Sequence, residues 1–160
     1  MDKRIAIVNV TRMEGLAQGL QQAGIQLRGL FPLQPDTFSP KGMDPRDLLF
    51  LDGFRARFSD LQDFLGGTMF KTIARMDEDE VPGREMTTRE RLVLMEKRGL
   101  IDCEQWKDIR EVRNNFTHEY PDEDLAKAIN LNAAWQYVPV LLSVVQAMKD
   151  YARRQYGIGA

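Results

Sequence analysis

Apolar residues recur at intervals of three and four along almost the whole of this chain, the spacing that lines one face of an α-helix. The clearest run is Leu51, Phe54, Phe58, Leu61, Leu65 and Met69, which opens after Asp44-Pro45. Aspartate there reads as an N-cap with proline at the first helical position. The stripe ends near Asp77-Glu78-Asp79-Glu80, an acidic run followed by Val81-Pro82-Gly83. Upstream, Ile7, Val10, Met13, Leu16, Leu20, Ala23 and Leu27 predict a first helix, which Gly15, Gly19 and Gly24 weaken. Taken alone, Ile5 to Val10 also suits a strand, but no partner strand is evident. Leu33 to Met43 carries prolines and few apolar anchors, and reads as a connecting loop.

Downstream, Thr87 to Glu90 fits a capping box, opening a short helix with Leu92 and Met95 that stops around Gly99. Asp102 to Gln105 fits another, opening a helix with Trp106, Ile109, Val112 and Phe116 on one face. Pro121 is expected to end that helix, because the residue before proline avoids helical geometry. Leu131, Ala134, Val138, Leu141, Val145, Met148 and Ala152 form a heptad-like seam in the last helix, with a kink expected at Pro139. Long helices with short joins predict an all-α, antiparallel up-down bundle of about five helices, in one domain spanning residues 1–160. At 160 residues and 43% hydrophobic, the chain can bury a sizeable core.

Charge and cysteine usage narrow the function. Lys+Arg number 22 against 24 Asp+Glu, a net charge of −2. Proteins that grip nucleic acid over long stretches are usually basic overall, so RNA contact here has to come from a local patch. The one cysteine, Cys103, can form neither an intrachain disulfide nor a metal site by itself, which points to a reducing cytoplasm. The N-terminal apolar run ends by Val10 and contains Asn9, too short and polar for a signal peptide. No stretch is expected to reach the roughly 20 apolar residues of a membrane span.

The single histidine lies in Arg113-Asn114-Asn115-Phe116-Thr117-His118-Glu119-Tyr120. On a helix turning ~100° per residue, Arg113, Thr117, Arg110, Asn114, Lys107 and His118 fall on one side of the buried direction. Glu111, Glu104, Asp108 and Glu119 fall on the other, so the basic groups form a local arc. Arg113 and His118 diverge by about 140° in an ideal helix, while Asn114 and His118 are closer neighbours. Arg113 and His118 can meet on one phosphate if the helix end relaxes, or if two copies each lend residues to a shared cleft. A plainer interpretation is also open: a histidine favourably placed at a helix C-terminus beside solvated Arg and Asn. With no second His and no cysteine pair, no metal site is expected, nor does any cofactor motif stand out.

This segment resembles the HEPN superfamily, and within it the HepT-like toxins, whose mark is Arg, four residues, His, one residue, Tyr. Arg113, His118 and Tyr120 match without a gap, and Asn114 supplies the polar residue that often follows the Arg. Phe54 to Phe70, with Arg57-Phe58-Ser59-Asp60-Leu61-Gln62-Asp63 and Leu65-Gly66, is similar to the long second helix of HepT-like bacterial proteins. The likeness in helix order covers nearly the whole chain.

The resemblance implies a metal-independent endoribonuclease toxin acting as a homodimer. In that reaction the RNA 2′-OH attacks its own phosphodiester and leaves a cyclic phosphate. His118 suits proton transfer, since its ordinary pKa lies near neutrality. Arg113 suits the developing phosphate charge as a permanent cation with a bidentate fork. Asn114 orients either group, and Arg110 and Lys107 are candidate RNA contacts. The family also implies a nucleotidyltransferase antitoxin that transfers AMP to Tyr120, placing negative charge beside the cleft. The alternative is a non-catalytic HEPN binding partner of such a nucleotidyltransferase.

Overall fold

The computed structural model describes residues 1–117 and 123–159. Those residues form an all-helical bundle. Its helices are α1 (Lys3–Gln26), α2 (Pro45–Phe64), α3 (Phe70–Met76), α4 (Thr88–Lys97), α5 (Cys103–Asn115) and α6 (Asp124–Tyr156). A five-residue π-helical segment, Leu65–Met69, joins α2 to α3 without a break, so the bundle has five rods.

The caps stand where the sequence placed them. The Asp44 carboxylate accepts the Arg46 N–H at 2.8 Å, with Pro45 at the first helical position. Thr87 and Glu90 form the reciprocal capping box of α4. At α5 only half of the expected box is present, the Asp102 carboxylate accepting the Gln105 N–H at 3.0 Å. Gly99 follows α4 with φ 72°, a left-handed conformation glycine adopts without a side-chain penalty.

All six residues of the Leu51-to-Met69 stripe are buried, Phe54 and Phe58 completely. The segment Ile5 to Val10 is helical, as α1 begins at Lys3 with Asp2 as its cap. Val10, Met13, Leu20, Ala23 and Leu27 of the expected face are buried, and Ala6 and Ala17 join them, while Leu16 is half-buried and Ile7 is 42% exposed. At Gly19 α2 comes close. A methyl group at Gly19 would stand 3.2 Å from Arg57 Nε, so the Arg57 side chain lies in the notch that glycine leaves.

Cross-helix pairs give the directions. Asn9 Nδ2 donates to Thr72 Oγ1 at 3.0 Å, and the Arg12 guanidinium lies over the Phe64 ring, so α1 runs antiparallel to α2 and α3. Trp135 packs against Phe54, and the Tyr156 hydroxyl donates to Ile73 O, so α6 runs parallel to the α2–α3 rod. Asp63 faces Arg113 and Arg55 faces Phe116, making α5 antiparallel to α2.

Three local expectations are corrected. The π segment was not foreseen. It contains Gly66 and Gly67, the ordinary residues that favour a regular helix least, and a Cβ on Gly66 would stand 3.5 Å from the Trp106 ring that packs there. The helix α5 stops at Asn115, with Phe116 as its cap, rather than continuing toward Pro121, a residue outside the described ones. Thr117 closes the turn, its N–H at 3.1 Å and its Oγ1 at 2.6 Å both donating to Asn114 O.

The third concerns α6. From Ala128 to Met148 it carries no charged residue, and an 18-residue window of it reaches a mean hydropathy of 1.3, long and apolar enough to cross a membrane by composition alone. In the bundle a third of that window is buried. Ala128, Leu131, Ala134, Leu141, Val145 and Met148 are buried, and α1, α2 and α5 all pack against it. It remains helical through Pro139, whose side chain is exposed.

Candidate functional site

The C-terminal end of α5 carries the candidate site, and α2 shapes it. Arg113 reaches across to Asp63 on α2. Its Nε and Nη2 donate to the two carboxylate oxygens, each at 2.7 Å. This side-on, doubly bonded pairing is the strongest ion-pair geometry available to arginine. It raises the Arg113 pKa above its ordinary value, with burial opposing the shift and Asp60 adding to it. The Arg113 side chain is 21% exposed and that of Asp63 51%, so the pair sits at the surface rather than in the core.

The pairing leaves part of the guanidinium unused. Arginine has five N–H donors in a plane, and Asp63 takes the Nε–Nη2 edge. The Nη1 group and the second Nη2 hydrogen have no partner among the described residues.

The other sequence-predicted residues are distributed around this point. Asn114 is exposed, its carbonyl accepting from Thr117. Arg110 is half-buried, one turn before Asn114. Lys107 is exposed and leans to Glu104 at 3.4 Å, so the basic and acidic arcs of α5 are less cleanly separated than the helical angles suggested. His118 and Tyr120 lie outside the described residues. Because α5 ends at Asn115, the angles of an ideal helix do not extend from Arg113 to His118.

Sequence reasoning missed Asp63 as a site residue. It lies 50 residues from Arg113, and no local spacing signals such a pair. It also missed Arg55. That side chain donates from Nη2 to Phe116 O at 3.1 Å and stacks over the Phe116 ring at 5.6 Å, holding the cap of α5 against α2. A mid-helix residue, Asn130 of α6, completes the support, donating from Nδ2 to Val112 O at 3.0 Å and accepting from Asn115 Nδ2 at 3.3 Å. The end of α5 is thus tied down from two sides immediately before the motif histidine.

Comparison with protein-family models, with curated proteins and with solved structures finds no match to this chain.

Proposed function

We propose that this protein is a metal-independent endoribonuclease toxin, active as a homodimer and paired with a nucleotidyltransferase antitoxin. The observation that supports it most directly is the state of Arg113. It is fixed by Asp63 along one edge, its side chain is 21% exposed, and it stands five residues ahead of the chain's only histidine.

The chemistry balances with these groups. A base takes the proton from the RNA 2′-OH, and O2′ attacks the adjacent phosphorus. The bond to O5′ breaks, an acid protonates O5′, and the products are a 2′,3′-cyclic phosphate and a 5′-hydroxyl. Arg113 stabilises the extra charge on the non-bridging oxygens. His118 serves proton transfer. Two proton transfers and one histidine per chain favour a cleft to which two copies contribute.

A surface suited to that dimer follows the motif directly. Leu125 and Ile129, one turn apart at the start of α6, are 50% and 53% exposed. In a twofold dimer that buries them against the same pair of a second copy, the two α5 tips are carried toward each other. The antitoxin acts at Tyr120 by adding AMP, whose negative charge repels the substrate.

The test is expression in bacteria without a partner, together with incubation of purified protein with RNA. Growth arrest and fragments ending in 2′,3′-cyclic phosphate are expected, both lost in His118→Ala. Equal toxicity and cleavage by His118→Ala overturns the proposal.

A second reading has one observation in its favour. Asp63 and Asp60 place negative charge beside Arg113, as suits a non-catalytic module that presents Tyr120 to a nucleotidyltransferase. It predicts a stable complex with that partner and no cleavage by the pure protein.

A further inference from the structure

A cavity of about 470 Å³ lies between the first half of α2, the end of α5, the first turns of α6 and the loop that precedes α2. That is within the range of about 300–1,000 Å³ that small-ligand sites occupy. We propose that it binds a small, uncharged aromatic molecule whose edge carries a hydrogen-bond donor and acceptor side by side, as a ring carboxamide or lactam does. The site is independent of the ribonuclease reading and stands whether or not the protein cuts RNA.

The walls suit a flat ring and are held in place. Phe38, Leu48, Leu51, Phe116 and Leu131 line the cavity with aromatic and aliphatic surface. The Phe116 ring is fixed from two directions, with the Arg55 guanidinium over its face at 5.6 Å and the Phe58 ring meeting it edge-on at 5.8 Å. Arg55 also donates to Phe116 O, which ties the backbone of that wall to α2. A wall already ordered need not be ordered by its ligand, so less of the contact energy is lost on binding.

The charges favour a neutral molecule. Arg55 and Lys127 line the cavity, and so do Asp52 and Glu123, with Arg55 Nη1 lying 3.6 Å from Asp52 Oδ1. The two signs balance, so neither an anion nor a cation gains net attraction there. Either one gives up water against apolar walls without a compensating partner. An uncharged ring meets no such penalty.

One carboxamide supplies the polar edge. Asn130 is turned toward α5, its Nδ2 donating to Val112 O at 3.0 Å and its Oδ1 accepting from Asn115 Nδ2 at 3.3 Å. Asn115 lines the cavity, and after that bond it keeps one N–H and its Oδ1 without a partner among the described residues. A donor beside an acceptor on one planar amide closes a pair of hydrogen bonds with any ligand edge that carries the same two functions. The class of ligand is set by that adjacency together with the flat walls and the balanced charge.

The experiment titrates the full-length protein with four planar molecules of nearly one size: benzamide, acetophenone, benzoate and benzamidinium. Backbone and side-chain amide signals are followed by NMR. Acetophenone keeps the carbonyl but lacks the neighbouring donor, and the two ions add a charge of either sign. Benzamide is expected to bind with millimolar affinity, ordinary for so few atoms, and to shift Asn115, Phe116 and Ala126. It should bind about fivefold more tightly than acetophenone, in line with one added hydrogen bond, and about tenfold more tightly than either ion. Two variants accompany the series. Ala126→Phe, at a half-buried wall position, fills the cavity and should abolish binding. Asn115→Leu should bring benzamide down to the affinity of acetophenone. No shift at these wall residues at tens of millimolar benzamide overturns the proposal. Equal or tighter binding of acetophenone overturns it too, because the Asn115 edge then has no part, and so does equal or tighter binding of either ion. The wild-type series decides by itself, so a variant that fails to fold shields nothing.

Discussion

Arg113 on α5 and Asp63 on α2 meet fork to fork, with Nε and Nη2 each 2.7 Å from a carboxylate oxygen. An acid so close to the proposed phosphate-binding cation either competes with RNA or holds the cation for it. The geometry favours holding. Asp63 occupies the Nε–Nη2 side of the guanidinium, Nη1 has no partner among the described residues, and an arginine pinned on one edge loses less rotamer freedom when it binds.

Asp63→Ala therefore lowers RNA cleavage, by about tenfold, an estimate for one mispositioned contact worth roughly 1.4 kcal/mol. Stability should change little, by less than about 1 kcal/mol, because the pair is partly solvated and such pairs contribute modestly. Single-turnover cleavage and urea unfolding of the same sample check both halves. Faster cleavage in Asp63→Ala assigns Asp63 the competing role instead.

Arg113→Lys is a sharper probe of the same geometry. Lysine keeps the charge but has a single ammonium, which cannot offer one edge to Asp63 and another to a phosphate at fixed angle. Cleavage should fall well below wild type while the protein stays folded. Near-normal activity in the lysine variant shows that charge alone suffices and that the fork has no special role.

The fold was legible where period-3.6 spacing and caps carry the information. The stripe from Leu51 to Met69, the Asp44-Pro45 start and the Thr87–Glu90 box could be read directly, because each depends on residues within a few positions of one another. The π segment at Leu65–Met69 could not, since the apolar spacing across it looks like that of a regular helix. On α1 the spacing placed Val10, Met13, Leu20, Ala23 and Leu27 inward correctly but took Ile7 for its small neighbour Ala6, because size favours isoleucine on a sequence plot. At the site, Arg113 was visible as part of a motif. Asp63, Arg55 and Asn130 were not, because they reach the α5 tip from other helices. Glu80 was hidden differently: it closes the acidic run at which the sequence ends the stripe, yet its side chain is completely buried.

That glutamate makes a stability prediction. Glu80 Oε1 accepts from Arg91 Nε and from the Met86 N–H, both at 2.8 Å, and Oε2 lies 3.5 Å from Arg75 Nε. It anchors the segment between α3 and α4. Burial pushes its pKa up, but the Met86 N–H and the Arg91 guanidinium together hold it below the ordinary carboxylate value. With the folded pKa depressed, the contribution is present above the unfolded pKa and is lost as pH falls through the folded one. Unfolding free energy should drop on acidification below about pH 4.3, the ordinary glutamate value. Glu80→Gln should cost about 3 kcal/mol at neutral pH by leaving two arginines without their buried partner and should weaken that acid dependence. A wild-type-like melting curve for Glu80→Gln removes the anchoring role.

The last prediction concerns the shared cleft. A chain with one histidine has to supply both a base and an acid for the cut, and the simplest supply is a second copy. The protein should sediment as a dimer at micromolar concentration, and Ile129→Asp should make it monomeric and inactive. Because Ile129 is half exposed, that change should leave the unfolding midpoint of each chain close to wild type, apart from what dimer formation itself contributes. Mixing supplies a second readout. When wild type and His118→Ala are co-refolded at varying ratio, a cleft needing both histidines is intact only in wild-type pairs, and the rate follows the square of the wild-type fraction. A rate linear in that fraction means each chain cuts with its own Arg113 and His118, and the shared cleft is then wrong whatever the oligomeric state.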